Sequence, residues 1–254
     1  MSTLEVIYLG IVEGITEFLP ISSTAHLMFA SELLGIAQSE FVKTFEIAIQ
    51  LGAILAVVVL YWRSFLNAKE LKTIAVAFLP TAVIGFTLYP FIKDSLIGNV
   101  SVALIALAAG GAALIVFERW YGTRVRSDVK TLTYTQALLV GIAQAVAVIP
   151  GVSRSAATIV GGLMLGINRT TIVEFSFLLA VPTMAAATAY DLYKNYQSFS
   201  SDDMSNLAVG FIVSFVVALF AIRWLVRYVS RNDFTAFGIY RIVAAALFFL
   251  LLWR

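Results

Sequence analysis

Six stretches of the chain are almost continuously apolar and close to the length that crosses a lipid bilayer. A membrane-spanning helix needs about 20 such residues, because the hydrocarbon core is about 30 Å thick. The stretches lie at about 44–62, 73–92, 99–117, 172–190, 206–226 and 236–253. This pattern predicts six transmembrane helices.

Two further apolar regions, 4–36 and 134–167, are interrupted in the middle by clusters rich in proline, glycine and serine. The interruptions read "LPISST" in the first region and "IPGVSRS" in the second. Each half has only about 13–17 residues, or roughly 20–25 Å of helix at about 1.5 Å per residue, which is too short to span. We therefore predict two re-entrant helical hairpins. Their broken tips must be buried in protein or line a watery cavity.

The two interrupted regions resemble each other without a gap. Ser22 and Ser153 are separated by 131 positions, and the same offset pairs Glu13 with Gln144 and Thr24 with Ser155. A re-entrant hairpin returns to its own side of the membrane, but three spans end on the opposite side. The second half therefore starts on the opposite side from the first and must be inverted. The predicted fold is an all-α polytopic membrane protein of one domain, 1–254. Its two inverted-topology repeats, about 4–117 and 134–253, each contain a re-entrant hairpin and three transmembrane helices.

Composition agrees with a membrane protein. The chain is 61% hydrophobic and 13% charged, whereas soluble domains carry about 25% charged residues. It contains no cysteine, which excludes disulfides and thiolate chemistry. The net charge of +2 is too small to suggest nucleic acid, so we expect no nucleic-acid partner.

The loop cations predict an orientation in a cell inner or plasma membrane. Eleven lie on one side: Arg63, Lys69, Lys72, Arg119, Arg124, Arg126, Lys130, Arg169, Arg223, Arg227 and Arg231. The other side has four: Lys43, Lys93, Lys194 and Arg254. Because lysine and arginine accumulate on the cytoplasmic side, both termini are expected outside. Arg154 and Arg241 remain inside apolar regions.

Glu13 and Glu17 are the first candidates for chemistry, because ionisable residues inside a membrane are usually functional. Four positions apart, they lie on one helical face, where two carboxylates repel unless a cation or a shared proton lies between them. Their oxygen ligands favour Mg²⁺ or Ca²⁺. The alternative is that one glutamate caps backbone groups and the other faces water.

Hydroxyl residues follow the break in each hairpin, and their positions favour an anion site. Pro20 should end the first half-helix, and the next half-helix can then be capped by Ser22, Ser23 or Thr24. Ser153 and Ser155 take the same positions after Pro150 and Gly151. Both helix N-termini would then direct free N–H groups at an anion. Arg154 adds a planar fork suited to phosphate, unless it extends to the membrane surface instead.

His26, the single histidine of the chain, lies within one helical turn of Ser22 and Ser23. A lone histidine is more often a core residue than a catalyst. The carboxylates and hydroxyls around it favour a role as base, acid or phosphoryl-accepting nucleophile. The sequence does not choose among these roles.

The two motifs "EGITEFLPISSTAH" (13–26) and "PGVSRSAAT" (150–158) resemble the paired signatures of the undecaprenyl-diphosphate phosphatase family of the bacitracin-resistance type. The similarity extends over essentially the whole chain, through "KTFEIAIQLGAILAVV", "EFSFLLAVPT" and "FGIYRI". The second motif departs from the family pattern at Ala156, where a glycine is common.

This resemblance implies hydrolysis of the C55 isoprenyl diphosphate to its monophosphate, which recycles the lipid carrier for peptidoglycan, and tolerance of bacitracin. It implies a divalent metal (Mg²⁺ or Ca²⁺) held by Glu13 and Glu17 and an active site open to the outer face. It also implies catalytic roles for Glu17, Ser23, His26 and Arg154. Ser22, Thr24, Ser153 and Ser155, with Arg154, would line the phosphate site.

The alternative is a transporter or flippase for an anionic lipid, because inverted repeats with broken helices are the usual plan of transporters. A carrier needs binding groups only. The combination of two carboxylates, a serine, a histidine and an arginine also supplies a metal site, a nucleophile and a base. The expected partners are thus a polyprenyl diphosphate and the bilayer, and a homodimer is also considered.

Overall fold

The computed structural model describes residues 1–37, 40–88, 96, 99–121, 131–195 and 201–252. Ten α-helices account for most of these residues. They are α1 (Thr3–Thr16), α2 (Ser23–Leu33), α3 (Glu40–Leu60), α4 (Ala68–Thr87), α5 (Val100–Trp120), α6 (Tyr134–Ala145), α7 (Arg154–Met164), α8 (Arg169–Asn195), α9 (Ser201–Val229) and α10 (Thr235–Leu252). Short 3₁₀ turns occur at Ser64–Leu66 and Val146–Val148.

Six helices in the described part of the chain are long and apolar enough to cross a membrane, as predicted. Their candidate spans are Phe41–Leu60, Ala68–Thr87, Val100–Trp120, Arg169–Ala189, Met204–Val229 and Thr235–Leu252. The protein is therefore an all-α, multi-pass membrane protein. The expected orientation remains a prediction, because several of the cations behind it, including Arg124, Arg126 and Lys130, lie outside the described residues.

The helix α4 starts earlier than the sequence prediction of 73–92. The helix begins at Ala68, because the Asn67 side chain accepts hydrogen bonds from the backbone N–H groups of Lys69 and Glu70. A polar first turn carries no hydropathy signal, although an asparagine cap is a good start signal. The end of the predicted stretch, from residue 89, lies outside the described residues.

Each interrupted region forms two short helices that pack against one another. The first contains α1 and α2, with 14 and 11 residues, and the second contains α6 and α7, with 12 and 11 residues. At about 1.5 Å per residue none of the four can cross the hydrocarbon core. Hereafter α1 with α2 is the first hairpin and α6 with α7 the second hairpin.

Local backbone geometry repeats at the same offset as the sequence. α2 begins at Ser23 and α7 at Arg154, and the residue before each, Ser22 or Ser153, has a positive φ (71° and 75°). These are the only two non-glycine residues with positive φ in the described part of the chain. Gly35 and Gly166 end the two hairpins with φ of 65° and 76°, a backbone region that favours glycine.

Packing partners also match between the halves. α1 packs on α9 and, equivalently, α6 packs on α4, whereas α3 packs on α8 and α5 on α10. Exchanging the two halves leaves this set of pairs unchanged, which supports a two-fold relation. The inverted topology of the repeats remains a prediction that rests on the odd number of spans in each half.

The first break is buried within the helical bundle. Phe18, Leu19 and Ile21 belong to the largest hydrophobic cluster, together with Ile159 of α7 and Phe177 of α8. The rings of Phe18 and Phe177 meet edge to face, with centroids 5.3 Å apart. Non-helical backbone in this part of the membrane protein is therefore surrounded by protein.

Candidate active site

The tips of the two hairpins meet at a cavity of about 220 Å³. Both helix N-termini contribute to its wall, the first through Ser22, Ser23 and Thr24 and the second through Ser153 and Arg154. Glu17, from the end of α1, also lines it. The predicted convergence of the two motifs is thus present, although 131 residues separate them in the chain.

The carboxylate of Glu17 is the centre of this cluster. Ser23 Oγ donates a hydrogen bond to Glu17 Oε2 at 2.5 Å, and Arg154 Nη2 donates to Glu17 Oε1 at 2.8 Å. Ser23 and Arg154 are the first residues of α2 and α7 and are repeat equivalents. One carboxylate therefore binds the same position of both hairpins.

Arg154 is held on its other side by α8. Its Nη1 donates to the Ser176 carbonyl oxygen at 2.7 Å and to Ser176 Oγ at 3.3 Å. Its Nε is buried and has no hydrogen-bond partner in the described part of the chain. The guanidinium is thus oriented by Glu17 and Ser176 at the cavity wall.

Glu13 is fully buried, and neither of its carboxylate oxygens has a hydrogen-bond donor among the described residues. An unpartnered buried carboxylate is costly unless a cation or a proton compensates it. Its charged neighbours include Glu17 and Glu46, which increase the repulsion, and Arg154, which reduces it. Ser31 Oγ donates to Glu46 at 2.6 Å, so Glu46 has a partner.

These carboxylates fit a divalent cation in part. The unsatisfied oxygens of Glu13 and the adjacent carboxylate of Glu17 are ligands that Mg²⁺ or Ca²⁺ prefers. The described residues contain no group of three His, Cys, Asp or Glu side chains that could hold a metal ion. A cation here would therefore need further oxygen ligands, and phosphate oxygens of a substrate can supply them.

The serines before α2 and α7 differ in their capping. Ser153 Oγ accepts a hydrogen bond from the Ala156 N–H at 3.2 Å, so the predicted cap of α7 is present. The predicted cap of α2 is wrong, because Ser22 makes no side-chain cap bond. Ser23, the next hydroxyl, is bonded to Glu17 instead. Ser22 also lines the cavity.

Two other predicted phosphate ligands have different surroundings. Thr24 is exposed and lines the cavity. Ser155 is almost completely buried, and its Oγ donates to the Phe18 carbonyl oxygen at 2.8 Å. Ser155 therefore joins the two hairpins, and among the described residues it is not part of the cavity wall.

His26 is buried, and neither of its ring nitrogens is bonded to Glu17. Its Nδ1 lies 2.8 Å from the Ser22 carbonyl oxygen, and its Nε2 lies 2.8 Å from the Tyr240 hydroxyl. A carbonyl only accepts, so Nδ1 carries the proton and, in the neutral ring, Nε2 accepts from Tyr240. The imidazole also stacks on the Tyr240 ring, with centroids 5.6 Å apart.

The structure thus brings together Glu17, Ser23 and Arg154, with Glu13 adjacent, but it directs both ring nitrogens of His26 elsewhere. Tyr240 has no individual signal in the sequence, because a tyrosine in an apolar helix is ordinary. The pairing of Tyr240 with His26 could only have been found from the packing of α10 against the first hairpin.

A second polar surface of the cavity was also missed by the sequence analysis. Gln144 Nε2 donates to Thr81 Oγ1 at 2.9 Å and to Thr183 Oγ1 at 3.2 Å, and all three residues line the cavity. Gln144 is the repeat equivalent of Glu13. An amide at this position needs no cation, so the two repeats differ in charge and only the first provides a carboxylate pair.

Comparisons with known proteins identify relatives of the whole chain. A family model described as bacitracin resistance protein BacA matches residues 6–247. A protein of Sulfurihydrogenibium sp. (strain YO3AOP1), named undecaprenyl-diphosphatase, is 51% identical over 252 residues, which cover 98% of this chain and 99% of the relative. Proteins with the same name from Aquifex aeolicus and Persephonella marina are 49% and 47% identical, over 96% and 98% of this chain and 96% and 99% of their own lengths. This chain therefore belongs to the bacitracin resistance protein BacA family.

Proposed function

We propose that this protein is an undecaprenyl-diphosphatase, a membrane enzyme that hydrolyses undecaprenyl diphosphate to undecaprenyl phosphate and inorganic phosphate. This hydrolysis recycles the lipid carrier for peptidoglycan synthesis and confers bacitracin resistance. The relatives that match nearly the whole chain bear the name of this activity. Within the molecule, the observation that carries the proposal is the Ser23 hydroxyl hydrogen-bonded to the Glu17 carboxylate beside Arg154.

Ser23 is the proposed nucleophile and Glu17 its base. The serine Oγ attacks the terminal phosphorus, Glu17 Oε2 receives the hydroxyl proton, and the bond from phosphorus to the bridging oxygen breaks to release undecaprenyl phosphate. Glu17 passes this proton to the departing monophosphate and is a carboxylate again. It then takes a proton from a water molecule that attacks the phosphoserine, the bond from phosphorus to Ser23 Oγ breaks, and Ser23 Oγ recovers the proton from Glu17 as phosphate is released. Glu17 lies at hydrogen-bond distance from the proton that it would take, at 2.5 Å between the oxygens.

Arg154 and the two helix N-termini are the proposed diphosphate site. The charge on the transferred phosphoryl group is spread over its outer oxygens, so catalysis depends on donors held in fixed positions. Arg154 Nε has no partner among the described residues, which leaves a donor for phosphate. Ser22, Thr24 and Ser153 add hydroxyl groups at the cavity wall. Ser155 supports the site by holding the first hairpin through Phe18.

The proposed cofactor is Mg²⁺ or Ca²⁺. Glu13 and Glu17 would hold it, and its charge would offset the carboxylates and the developing charge on phosphate. The support is the pair of unsatisfied Glu13 oxygens. The proposed role of Glu13 is to bind and orient the cation.

His26 is proposed as a residue that positions Ser23. Its Nδ1–H donates a hydrogen bond to the carbonyl oxygen of Ser22, which has a positive φ and directly precedes Ser23. This contact favours Ser23 over His26 as the nucleophile.

We further propose that both termini and the active site lie on the outer side of the membrane. The support is the excess of loop lysine and arginine on the other side. A homodimer also remains a proposal.

Phosphate release by purified protein in detergent tests the function. Wild-type protein should release inorganic phosphate from undecaprenyl diphosphate and leave undecaprenyl phosphate, and the matched variant Ser23→Ala should not. Binding of the lipid without phosphate release would contradict the proposal and favour the carrier or flippase.

A further inference from the structure

Arg241 of α10 is completely buried, and all five of its N–H donors are bonded to backbone carbonyl oxygens. Nε donates to Leu107 at 3.1 Å, and Nη2 donates to Ala106 at 3.1 Å and to Gly151 at 2.8 Å. Nη1 donates to Pro20 at 3.2 Å and to Val152 at 3.0 Å. One guanidinium thus joins two spanning helices to the breaks of both hairpins.

The partners of Arg241 are neutral. In the part of the chain that the structure describes, no carboxylate lies within ion-pair distance of its guanidinium. A buried charge is usually paired with an opposite charge. Arg241 is instead compensated by carbonyl dipoles, and its positive charge remains directly behind the tips that form the anion site.

The contact with Val152 also determines where a neighbouring N–H points. The carbonyl and N–H of a planar trans peptide point in opposite directions, so the Ser153 N–H is directed away from the guanidinium. Ser153 lines the cavity and has a positive φ of 75°, which non-glycine residues adopt only where the surroundings enforce it. Arg241 supplies such an enforcing contact on the preceding peptide unit.

The helix that faces Arg241 leaves room for the guanidinium. A Cβ added to Gly110 of α5 would overlap the Arg241 side chain, with Nη2 the nearest atom. A Cβ at Gly111 would meet the Gly238 carbonyl of α10. The two glycines therefore permit both the close approach of the helices and the position of the guanidinium between them.

We propose that Arg241 is a positioning residue for the reaction: by binding Pro20, Gly151 and Val152, its guanidinium holds both hairpin breaks so that their helix N-termini face one cavity. This inference rests on the proposed diphosphate site. A residue with only a folding role would affect stability alone. A positioning residue also affects how the folded protein binds an anion.

The test uses Arg241→Met, Arg241→Lys and Gly110→Ala. Arg241→Met removes the donors, and Gly110→Ala keeps the charge but displaces the guanidinium. Gly85→Ala in α4 is the matched control, because a Cβ there would have no atom within 4 Å. For each, thermal unfolding and gel filtration in detergent report folding, and calorimetry reports binding of inorganic pyrophosphate. Phosphate release from undecaprenyl diphosphate gives kcat and KM.

Folded Arg241→Met and Gly110→Ala should bind pyrophosphate at least about tenfold more weakly and lose on the order of 10²-fold in kcat/KM, the scale for displacing reacting groups by about 1 Å. Arg241→Lys, with three donors, should recover part of the binding, and Gly85→Ala should match wild type.

Wild-type binding in folded Arg241→Met would overturn the inference. If Arg241→Met does not fold, pyrophosphate binding by folded Gly110→Ala decides by the same criterion. If neither variant folds, Arg241 is needed for folding and the inference is overturned. Wild-type protein that binds pyrophosphate but releases no phosphate would contradict the proposed function and leave the binding comparison intact.

Discussion

Glu17 of the first hairpin and Arg154 of the second form a largely buried ion pair at 2.8 Å across 137 positions of the chain. The same carboxylate accepts a hydrogen bond from Ser23, the repeat equivalent of Arg154. A diphosphate entering the cavity would compete with Glu17 for Arg154. Exchange of this ion pair for phosphate contacts would leave Glu17 free to accept the Ser23 proton.

The Ser23 hydroxyl should be essential and the Ser22 hydroxyl should not. Only Ser23 is bonded to Glu17, whereas both line the cavity. Ser23→Ala should lose on the order of 10²-fold or more in kcat, and Ser22→Ala, the matched control, should lose much less. Acid quenching of wild-type protein with terminally labelled substrate should trap label on Ser23. Equal losses in the two variants would contradict the assignment.

Replacing Glu17 by glutamine should separate catalysis from anion binding. Glu17→Gln removes the base, so turnover should fall on the order of 10²-fold. It also removes a negative charge that competes for Arg154, so metal-free binding of pyrophosphate should be kept or become tighter. Arg154→Lys is the comparison, since a lysine keeps the charge but loses the planar fork, and its binding should weaken. Weaker metal-free binding in Glu17→Gln would show that Glu17 itself holds the anion site together.

Glu13 should make the metal-free protein less stable. Its buried carboxylate has no donor among the described residues, so Glu13→Gln should raise the unfolding temperature without metal and remove the stabilisation produced by added Mg²⁺ or Ca²⁺. The control is Glu118→Gln at the buried Glu118–Arg169 pair, which should lower stability and keep the metal response. If added Mg²⁺ or Ca²⁺ stabilises both Glu13→Gln and Glu17→Gln as much as wild type, these two residues do not bind the metal.

His26 should act mainly through its Nδ1–H contact with the Ser22 carbonyl. An asparagine amide can replace that donor but not an imidazole base or nucleophile. His26→Asn should therefore keep more turnover than His26→Ala, and Tyr240→Phe, which removes only the hydroxyl bonded to Nε2, should lose little. Equal and complete loss of kcat in both His26 variants, with pyrophosphate binding intact, would restore His26 as the catalyst.

The outer location of the site can be tested by labelling of introduced cysteines, since the chain contains none. Lys43 and Lys69 are both exposed, and the orientation predicts that they lie on opposite sides of the membrane. An impermeant thiol reagent added to intact cells should label Lys43→Cys and not Lys69→Cys. The reverse pattern would overturn the orientation.

The spans and the breaks were predictable because their causes are local in the sequence. Apolar length decides which helices can cross, and Pro20, Pro150 and Gly151 interrupt the hairpins wherever the rest of the chain lies. The matching positive φ at Ser22 and Ser153 follows from the same repeated motif. Even here the predicted cap of α2 was wrong: Ser22 makes no side-chain cap bond, and the adjacent hydroxyl of Ser23 is bonded to Glu17 instead.

Only the tertiary structure decided which polar groups are partners. Arg154 is bound to Glu17 and Ser176, His26 to Tyr240, and Arg241 to carbonyls of three separate segments. Each contact joins residues far apart in the chain, and the direction of a side chain depends on which helices pack together. The sequence alone determined that two polar clusters lie inside the membrane domain. Helix packing determined that they form one cavity, because a buried donor or carboxylate must find its partner wherever the fold provides one.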